Sequence, residues 1–398
     1  MKTLRYWLWF SQAIGYCTVK AKQIYTLYNS IEDFYSGGEQ EWRFSGLFSN
    51  NEIEKLSSTG LDCADEIIAK CNKYCYQMIT LDSPEYPVCL RDIDDPPAVL
   101  YVSGMLPDID DRLSIGIVGT RKASVYGIRS SYEFGYNLAK SGVTVVSGGA
   151  LGVDCSSHKG ALAADGVTIC VLGCGINVDY LRENAKMRSD ITFKGAVVSE
   201  YPPDTPANAY NFPQRNRIIS ALSNGLLVIE AARKSGSLIT VNSALEQDVN
   251  KKIFALAGPA DPHFYGTNEL IKEKVAQLVT DYTDIIGAFD NLYVTGELDI
   301  AAQPKDDVID LIPVKGKPPK DINGLRTNDL TIVPVHKTDV KLNEDEQKVY
   351  YAIESEPVQL EAIAESTDLP VFKIMSITTT LELKGLIECV QGRSYRLK

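Results

Sequence analysis

The sequence predicts a doubly wound α/β protein, a Rossmann-like and mostly parallel sheet with a helical domain before it and a winged helix after it. Three observations predict this. Between residues 115 and 258, short β-branched runs alternate with helical patterns, as βαβ units do. Nearly all of these runs are apolar throughout, the pattern of strands covered on both faces of a parallel sheet. The segments at either end, 1–80 and 343–398, are instead dominated by helical periodicity.

Residues 1–80 place Leu4, Leu8, Ile14, Ile24, Leu27, Tyr28 and Ile31 at helical spacings, with Gly15 between the first two helices. The stretches "NNEIEKLSS" and "ADEIIAKCNKYC" add a later helical pair, giving a small domain of the SAM or helix-hairpin-helix kind. Such a domain touches a DNA backbone or serves as a spacer or contact surface. Residues 81–296 form the Rossmann-like domain. Its strands read as "IGIVG" (115–119), "VTVVS" (143–147), "VTICVLG" (167–173), "AVVSE" (196–200), "LLVIE" (226–230) and "KIFALAG" (252–258). Between the first two, Ile128, Tyr132, Tyr136 and Ala139 repeat at helical spacing before Gly142. Residues 297–342 mix Pro, Lys and Asp with little periodicity and read as a linker. From 343, three helical stretches precede "LIECVQGRSYRLK", a hairpin turning at Gln391–Gly392. Three helices and a β-wing make a winged helix.

The 398 residues carry a net charge of −12, with 44% hydrophobic and 23% charged residues, an ordinary globular mixture. No stretch approaches the ~18–20 apolar residues of a membrane span. The opening "MKTLRYWLWFSQAIGYC" interleaves polar residues with Trp7 and Trp9 and has no small-residue cleavage site, so it reads as a core helix rather than a signal peptide. Nine cysteines scattered through apolar contexts point to reduced thiols in a cytoplasm. Cys71 and Cys75 have the spacing of half a zinc site, but no second Cys/His pair lies nearby. No metal or cofactor is expected.

In a doubly wound sheet, ligands bind where strands end and helices begin. The loops there are "VGTRKASVYG", "SGGALGVDCSSHKGAL", "LGCGINVDY", "NFPQRNR" and "EAARKSGSLIT". None has the glycine spacing of the dinucleotide fingerprint, and no Gly-Lys-Ser/Thr triplet exists. Asp154 and His158, one helical turn apart, could share a hydrogen bond, although capping is the commoner role for an Asp at a helix start. No nucleophile elbow accompanies them. Residues 205–238 do carry Arg215, Arg217, Arg233 and Lys234 against the single acid Glu230. Converging backbone amides, guanidinium groups and the Phe212 ring suit an unpaired polynucleotide, which offers phosphates and open base faces together. The bland alternatives are solvated surface charge for the cations and a loop anchor for Phe212.

Taken together, these loops resemble the DNA-processing protein A family (DprA, also called Smf). The carrying residues are "VGTRKASVYG", "SGGALGVDCSSHKGAL", "VLGCGINVDY", "SEYPPDTPANAYNFPQRNRIISALSNGLLVIEAARKSGSLIT" and "AGPADPHFYGTNELI". The resemblance extends to both flanking domains. It implies a non-enzymatic protein that binds and protects single-stranded DNA, helps load RecA recombinase in natural transformation, and forms a homodimer through the Rossmann-like domain. Carried onto this chain, the binding pocket comprises Gly119, Thr120, Arg121, Ser147, Gly148, Gly149, Phe212, Arg215, Asn216, Arg217, Lys234, Ser235, Gly236 and Ser237. Two positions depart from the family pattern. Leu181 stands where Tyr-Pro usually continues, and Asn250–Lys251 where Gly-Arg is usual. Two competing readings belong to other classes. Nucleotide phosphoribohydrolases of the lysine-decarboxylase-like type share this fold but carry a Pro-Gly-Gly loop and a catalytic acid, where this chain has Gly236 alone and Glu246 displaced. A winged-helix transcriptional regulator would need a basic recognition helix, and the candidate here holds only Lys373 and Lys384.

Overall fold

The computed structural model describes residues 2–289 and, in the C-terminal part, 344–353, 358–359, 363–364, 367, 369–383, 386–390 and 394–397. The linker expected at 297–342 lies outside the described residues. The chain divides into two compact units, Met1–Ile312 and Pro313–Lys398.

The first unit opens with five helices: α1 (Lys2–Ile14), α2 (Lys20–Leu27), α3 (Ile31–Phe44), α4 (Asn50–Ser58) and α5 (Asp62–Tyr74). Ser30 and Ser49 cap α3 and α4, the latter in a reciprocal capping box with Glu52. Trp7, Leu8, Trp9 and Phe10 of α1 are all buried, as a core helix requires. They share one apolar cluster with Leu100, Val102, Ile218 and Ile219. The helical region and the sheet therefore have a common core. The boundary expected at residue 80 falls on the last residue of β1 (Gln77–Thr80), which pairs antiparallel with β2 (Val99–Gly104).

The remaining strands are β3 (Ser114–Val118), β4 (Thr144–Ser147), β5 (Thr168–Leu172), β6 (Ala196–Ser199), β7 (Gly225–Val228), β8 (Lys252–Leu256) and β9 (Gln277–Val279), with short helices α6 (Val88–Arg91) and α9 (Ala185–Ile191) in the connections after β1 and β5. All nine form one sheet in the order β1-β2-β6-β5-β4-β3-β7-β8-β9. The pairs from β6 through β9 are parallel, and only β1–β2 and β2–β6 are antiparallel. The chain steps outward from β3 through β4 and β5 to β6, then returns to lay β7, β8 and β9 on the other side. The switch point lies between β3 and β7.

One face of the sheet carries α7 (Val125–Lys140) and α8 (Val153–Ala163), whose Phe134, Leu138, Val153 and Ala161 share a cluster with Ile115, Ile117 and Val145. Here the expected apolar stripe of α7 is displaced. Ile128, Tyr132 and Tyr136 are only half-buried, and the inward face is Gly127, Ser130, Ser131, Phe134, Gly135, Leu138 and Ala139. The cause is close backbone approach. A Cβ on Gly135 would lie 2.3 Å from the Ser157 carbonyl, and one on Gly160 would lie 2.2 Å from that of Tyr132. Five of the seven inward residues, all but Phe134 and Leu138, are small. The cluster on the other face includes residues of α10 (Asn211–Ala221) and α11 (Gly236–Gln247).

The second unit holds helices Glu344–Tyr351 and Val371–Leu383 and a three-stranded antiparallel sheet. In that sheet β12 (Ser394–Leu397) lies between β10 (Val358–Gln359) and β11 (Ile387–Val390). Val349, Ile353, Ile363, Ile374, Leu381 and Ile387 make its core. The predicted hairpin is present as β11–β12. Its turn at Gln391–Gly392, and most of the middle helical stretch, lie outside the described residues.

Candidate nucleic-acid interface

A cleft of about 430 Å³ opens at the C-terminal ends of β3 and β7, the place where an α/β sheet of this winding exposes its amides to a ligand. Three segments line it. The turn after β3 supplies Gly119, Thr120, Arg121 and Lys122. Helix α10 supplies Phe212, Pro213, Arg215, Asn216 and Ile219, and the loop into α11 supplies Ala232 and Lys234–Ser237. Ala150 and Asp154 close the floor.

The β3 turn is held from below by a buried carboxylate. Glu230 follows β7, is fully buried, and accepts from the Ser124 amide at 3.0 Å and the Ser124 hydroxyl at 2.7 Å. Its carbonyl accepts from the Thr120 amide at 2.8 Å. Ser124 in turn caps α7 by accepting from the Gly127 amide. These bonds fix the two loops to each other and leave Arg121 and Lys122 exposed above them. The Arg121 guanidinium lies 5.4 Å from the centroid of the Phe212 ring, which also packs 4.9 Å from Tyr180. Opposite, exposed Lys234 precedes Ser235, the N-cap of α11, so the positive end of that helix faces the cleft. Arg121, Lys122, Arg233 and Lys234 make no ion pair among the described residues. Three of the four are cleft-lining, and sequence reasoning missed Lys122.

The residues named by the resemblance thus fall into two groups. Gly119, Thr120, Arg121, Phe212, Arg215, Asn216, Lys234, Ser235, Gly236 and Ser237 meet in the cleft. Ser147, Gly148, Gly149 and Arg217 do not line it. Ser147 is buried and donates to the Ile117 carbonyl at 2.6 Å. Gly148 receives Arg215, whose Nη1 donates to its carbonyl at 2.8 Å and to that of Val171. A Cβ on Gly148 would lie 2.4 Å from that guanidinium. Arg215 is itself 4% exposed, so it braces the β4 turn more than it reaches out. Arg217 lies apart from the cleft. Its side chain is 7% exposed and pairs with Glu200 and Asp95, both at 2.8 Å. Glu200 also accepts from the Cys17 amide at 3.1 Å, so Arg217 ties α10 to the turn between α1 and α2.

Asp154 and His158 do not bond to each other. Asp154 accepts from the Ala150 amide at 3.4 Å, and burial holds its carboxyl above the ordinary aspartate range. His158 Nδ1 lies 2.7 Å from the Thr168 hydroxyl, which donates to the Val145 carbonyl. The hydroxyl proton is used there, so Nδ1–H is the donor to the hydroxyl oxygen. Burial pushes the His158 pKa down to about 3. Neither group is placed as a catalytic pair. Cys71 is buried in α5 and Cys75 caps that helix exposed. Among the described residues, no group of three metal-ligating side chains occurs, and no helix is long and apolar enough to cross a membrane.

This chain is a doubly wound α/β protein with its cleft at the switch point, the place where such folds commonly bind ligands. Its residues 77–290 match the family of DNA recombination-mediator protein A, and residues 336–393 match the DprA winged helix domain. The chain belongs to this family. It is 31% identical to protein Smf of Synechocystis over 98% of both chains. It is 45% identical to protein Smf of Escherichia coli over 213 residues, 53% of this chain and 56% of that one. The solved structure of DNA processing protein A from Streptococcus pneumoniae is 28% identical, with a TM-score of 0.54 over 70% of this chain and 95% of that one. That of Helicobacter pylori, described with its single-stranded DNA binding mode, is 31% identical with a TM-score of 0.50, over 55% and 97%.

Proposed function

We propose that the cleft binds the backbone and bases of single-stranded DNA, and that the chain protects such strands and helps load RecA recombinase onto them. The observation that carries this reading is that exposed Arg121 and Lys234, neither in an ion pair among the described residues, line one cleft with the Phe212 ring. Cations without partners and a helix N-terminus take backbone phosphates, and an aromatic face takes the open base of an unpaired strand, which a duplex keeps stacked. Membership of a family of recombination mediators, and the single-stranded DNA binding described for the Helicobacter pylori relative, support it. The chain acts as a homodimer through its Rossmann-like unit, a state that light scattering would test.

Neither competing reading is favoured by the described residues, and Lys384, one of the two lysines of the candidate recognition helix, lies outside them. Glu246 of α11, the displaced acid of a phosphoribohydrolase reading, lines a separate cavity with Asp95 and Arg217. In the winged-helix unit Lys373 is paired with Asp345 at 2.6 Å, which weakens a duplex-reading role. The deciding experiment compares affinity for oligo-dT and a matched duplex at two salt concentrations. The expected result is a preference for the single strand, with a log–log salt slope of about 0.7 per phosphate neutralised. Equal affinity for both would overturn the proposal.

A further inference from the structure

A second recess opens at the same edge of the sheet, beyond the Ser124 end of the β3–α7 turn. It measures about 540 Å³ and is lined by Ser124, Tyr126, Ala257, Gly258, Pro259 and Phe264. Its walls are ring and aliphatic surface. Tyr126 and Phe264 meet edge to face with centroids 5.8 Å apart, Phe264 buried and Tyr126 45% exposed. The Tyr126 hydroxyl donates to the Ala257 carbonyl at 3.1 Å, which holds an exposed ring in one orientation. Gly258 permits the turn to close over Phe264, since a Cβ there would lie 2.0 Å from that ring. The amide and carbonyl of Gly258 are both paired with the Asn268 side chain. A recess with one open ring and satisfied backbone groups selects a flat apolar face, not a pattern of donors and acceptors.

The recess and the cleft share a wall. Glu230 accepts from Ser124, which lines the recess, and from Thr120, which lines the cleft. The Gly266 amide donates to the Ala231 carbonyl at 2.7 Å, which binds the segment after Phe264 to the loop entering the cleft. Arg233, between cleft residues Ala232 and Lys234, lies 5.0 Å from the ring centroid of Tyr265, the neighbour of Phe264. A cation is therefore stationed where a backbone passing from one opening to the other would run.

We infer that the recess is a second base-binding subsite, taking the flat face of a nucleobase from the same strand that occupies the cleft. It rests on the cleft reading given under Proposed function. An aromatic side chain of a protein partner has a similar shape. The unpaired Arg233 beside the recess, in a chain of net charge −12, favours a polyanion.

The test scans 2-aminopurine through oligo-dT bound to the full chain. Quenching is expected at the register that places the probe on Tyr126. Tyr126→Leu keeps apolar bulk without the ring face. It should restore fluorescence at that register and weaken an oligonucleotide spanning both openings about fivefold to tenfold. A short oligonucleotide filling only the cleft should change less than about twofold, and Tyr126→Phe, which keeps the ring face but not the bond that orients it, should lose less than Tyr126→Leu. If Tyr126→Leu leaves quenching and affinity unchanged at every length, the subsite is overturned and the recess is left to a protein ligand. If Lys234→Glu binds both lengths as wild type does, the cleft reading fails and takes the subsite with it, whatever Tyr126 does.

Discussion

Arg121 and Lys234 stand exposed at the rim of the cleft without an ion pair among the described residues, whereas Arg215 and Arg217, on the helix that forms its wall, are buried, the first against backbone carbonyls and the second against two carboxylates. The residue types are the same and the jobs are opposite. A buried guanidinium with two acid partners, as in Arg217, holds elements together and spends most of its donors inside the fold. An exposed one with no partner contributes little to folding and is available to a phosphate. The difference teaches that local positive charge in a sequence counts as binding capacity only where the fold leaves it unpaired.

The largest effect should come from the buried side of this comparison. Arg217→Met leaves Glu200, 3% exposed, without its principal partner. Breaking a buried pair from one side costs about 3–5 kcal/mol, so the urea midpoint should drop steeply. Glu200→Gln should do less, because the Cys17 amide and Arg217 still find an acceptor. An unchanged midpoint in the Arg217→Met variant would refute the assignment of Arg217 to the scaffold. On the exposed side, Arg121→Glu and Lys234→Glu should each weaken oligo-dT binding at least about tenfold and reduce the salt slope by about 0.7. Their melting temperatures should stay near wild type. Gel shifts at equal midpoint for both variants and wild type would remove the cleft from the function.

The helix that carries both groups also shows how much could be read without coordinates. Strand runs, winding, the winged helix and most cleft loops are legible because apolar runs and glycine turns leave local signatures. The sorting of α10 was legible too, through spacing alone. Phe212, Arg215, Asn216 and Ile219 recur at i, i+3, i+4 and i+7 and share one face, which is the face that lines the cleft. Arg217 is two positions from Arg215, and residues so spaced do not face each other on a helix. The tight contact of α7 with α8 was not legible. There glycines and serines do the work expected of large apolar residues, and nothing local distinguishes them from a polar face. Nor does the sequence announce the Glu230 clamp, since its Ser124 partner is 106 positions away.

Between these extremes lies His158, buried and neutral under the β4 turn. Its folded-state pKa is about 3, against 6.5 for the free side chain. As pH falls below 6.5, the unfolded chain takes up a proton that the folded chain refuses until about 3. Stability should therefore decline with falling pH across that window, at up to about 1.4 kcal/mol per pH unit from this group. His158→Gln should flatten that part of the profile relative to wild type. Parallel profiles for the two proteins from pH 6.5 to 4 would show that His158 is not a source of acid lability.

The smallest predicted effect joins the two halves of the comparison. Ser124 caps α7 and is also one of the donors that hold Glu230 beneath the Arg121 turn. Ser124→Ala removes the cap and the hydroxyl bond but keeps the amide bond to Glu230, so its cost should be about 1 kcal/mol of stability. Arg121 keeps its charge and its place in the chain, so DNA affinity should fall by less than in Arg121→Glu. What it loses is pre-organisation, because a looser turn must be ordered when the strand binds. The loss should therefore appear in oligo-dT affinity with the salt slope unchanged, since no phosphate contact is deleted. A changed slope would mean that Ser124 positions a cation directly, and an unchanged affinity would mean that the Glu230 clamp serves the fold alone.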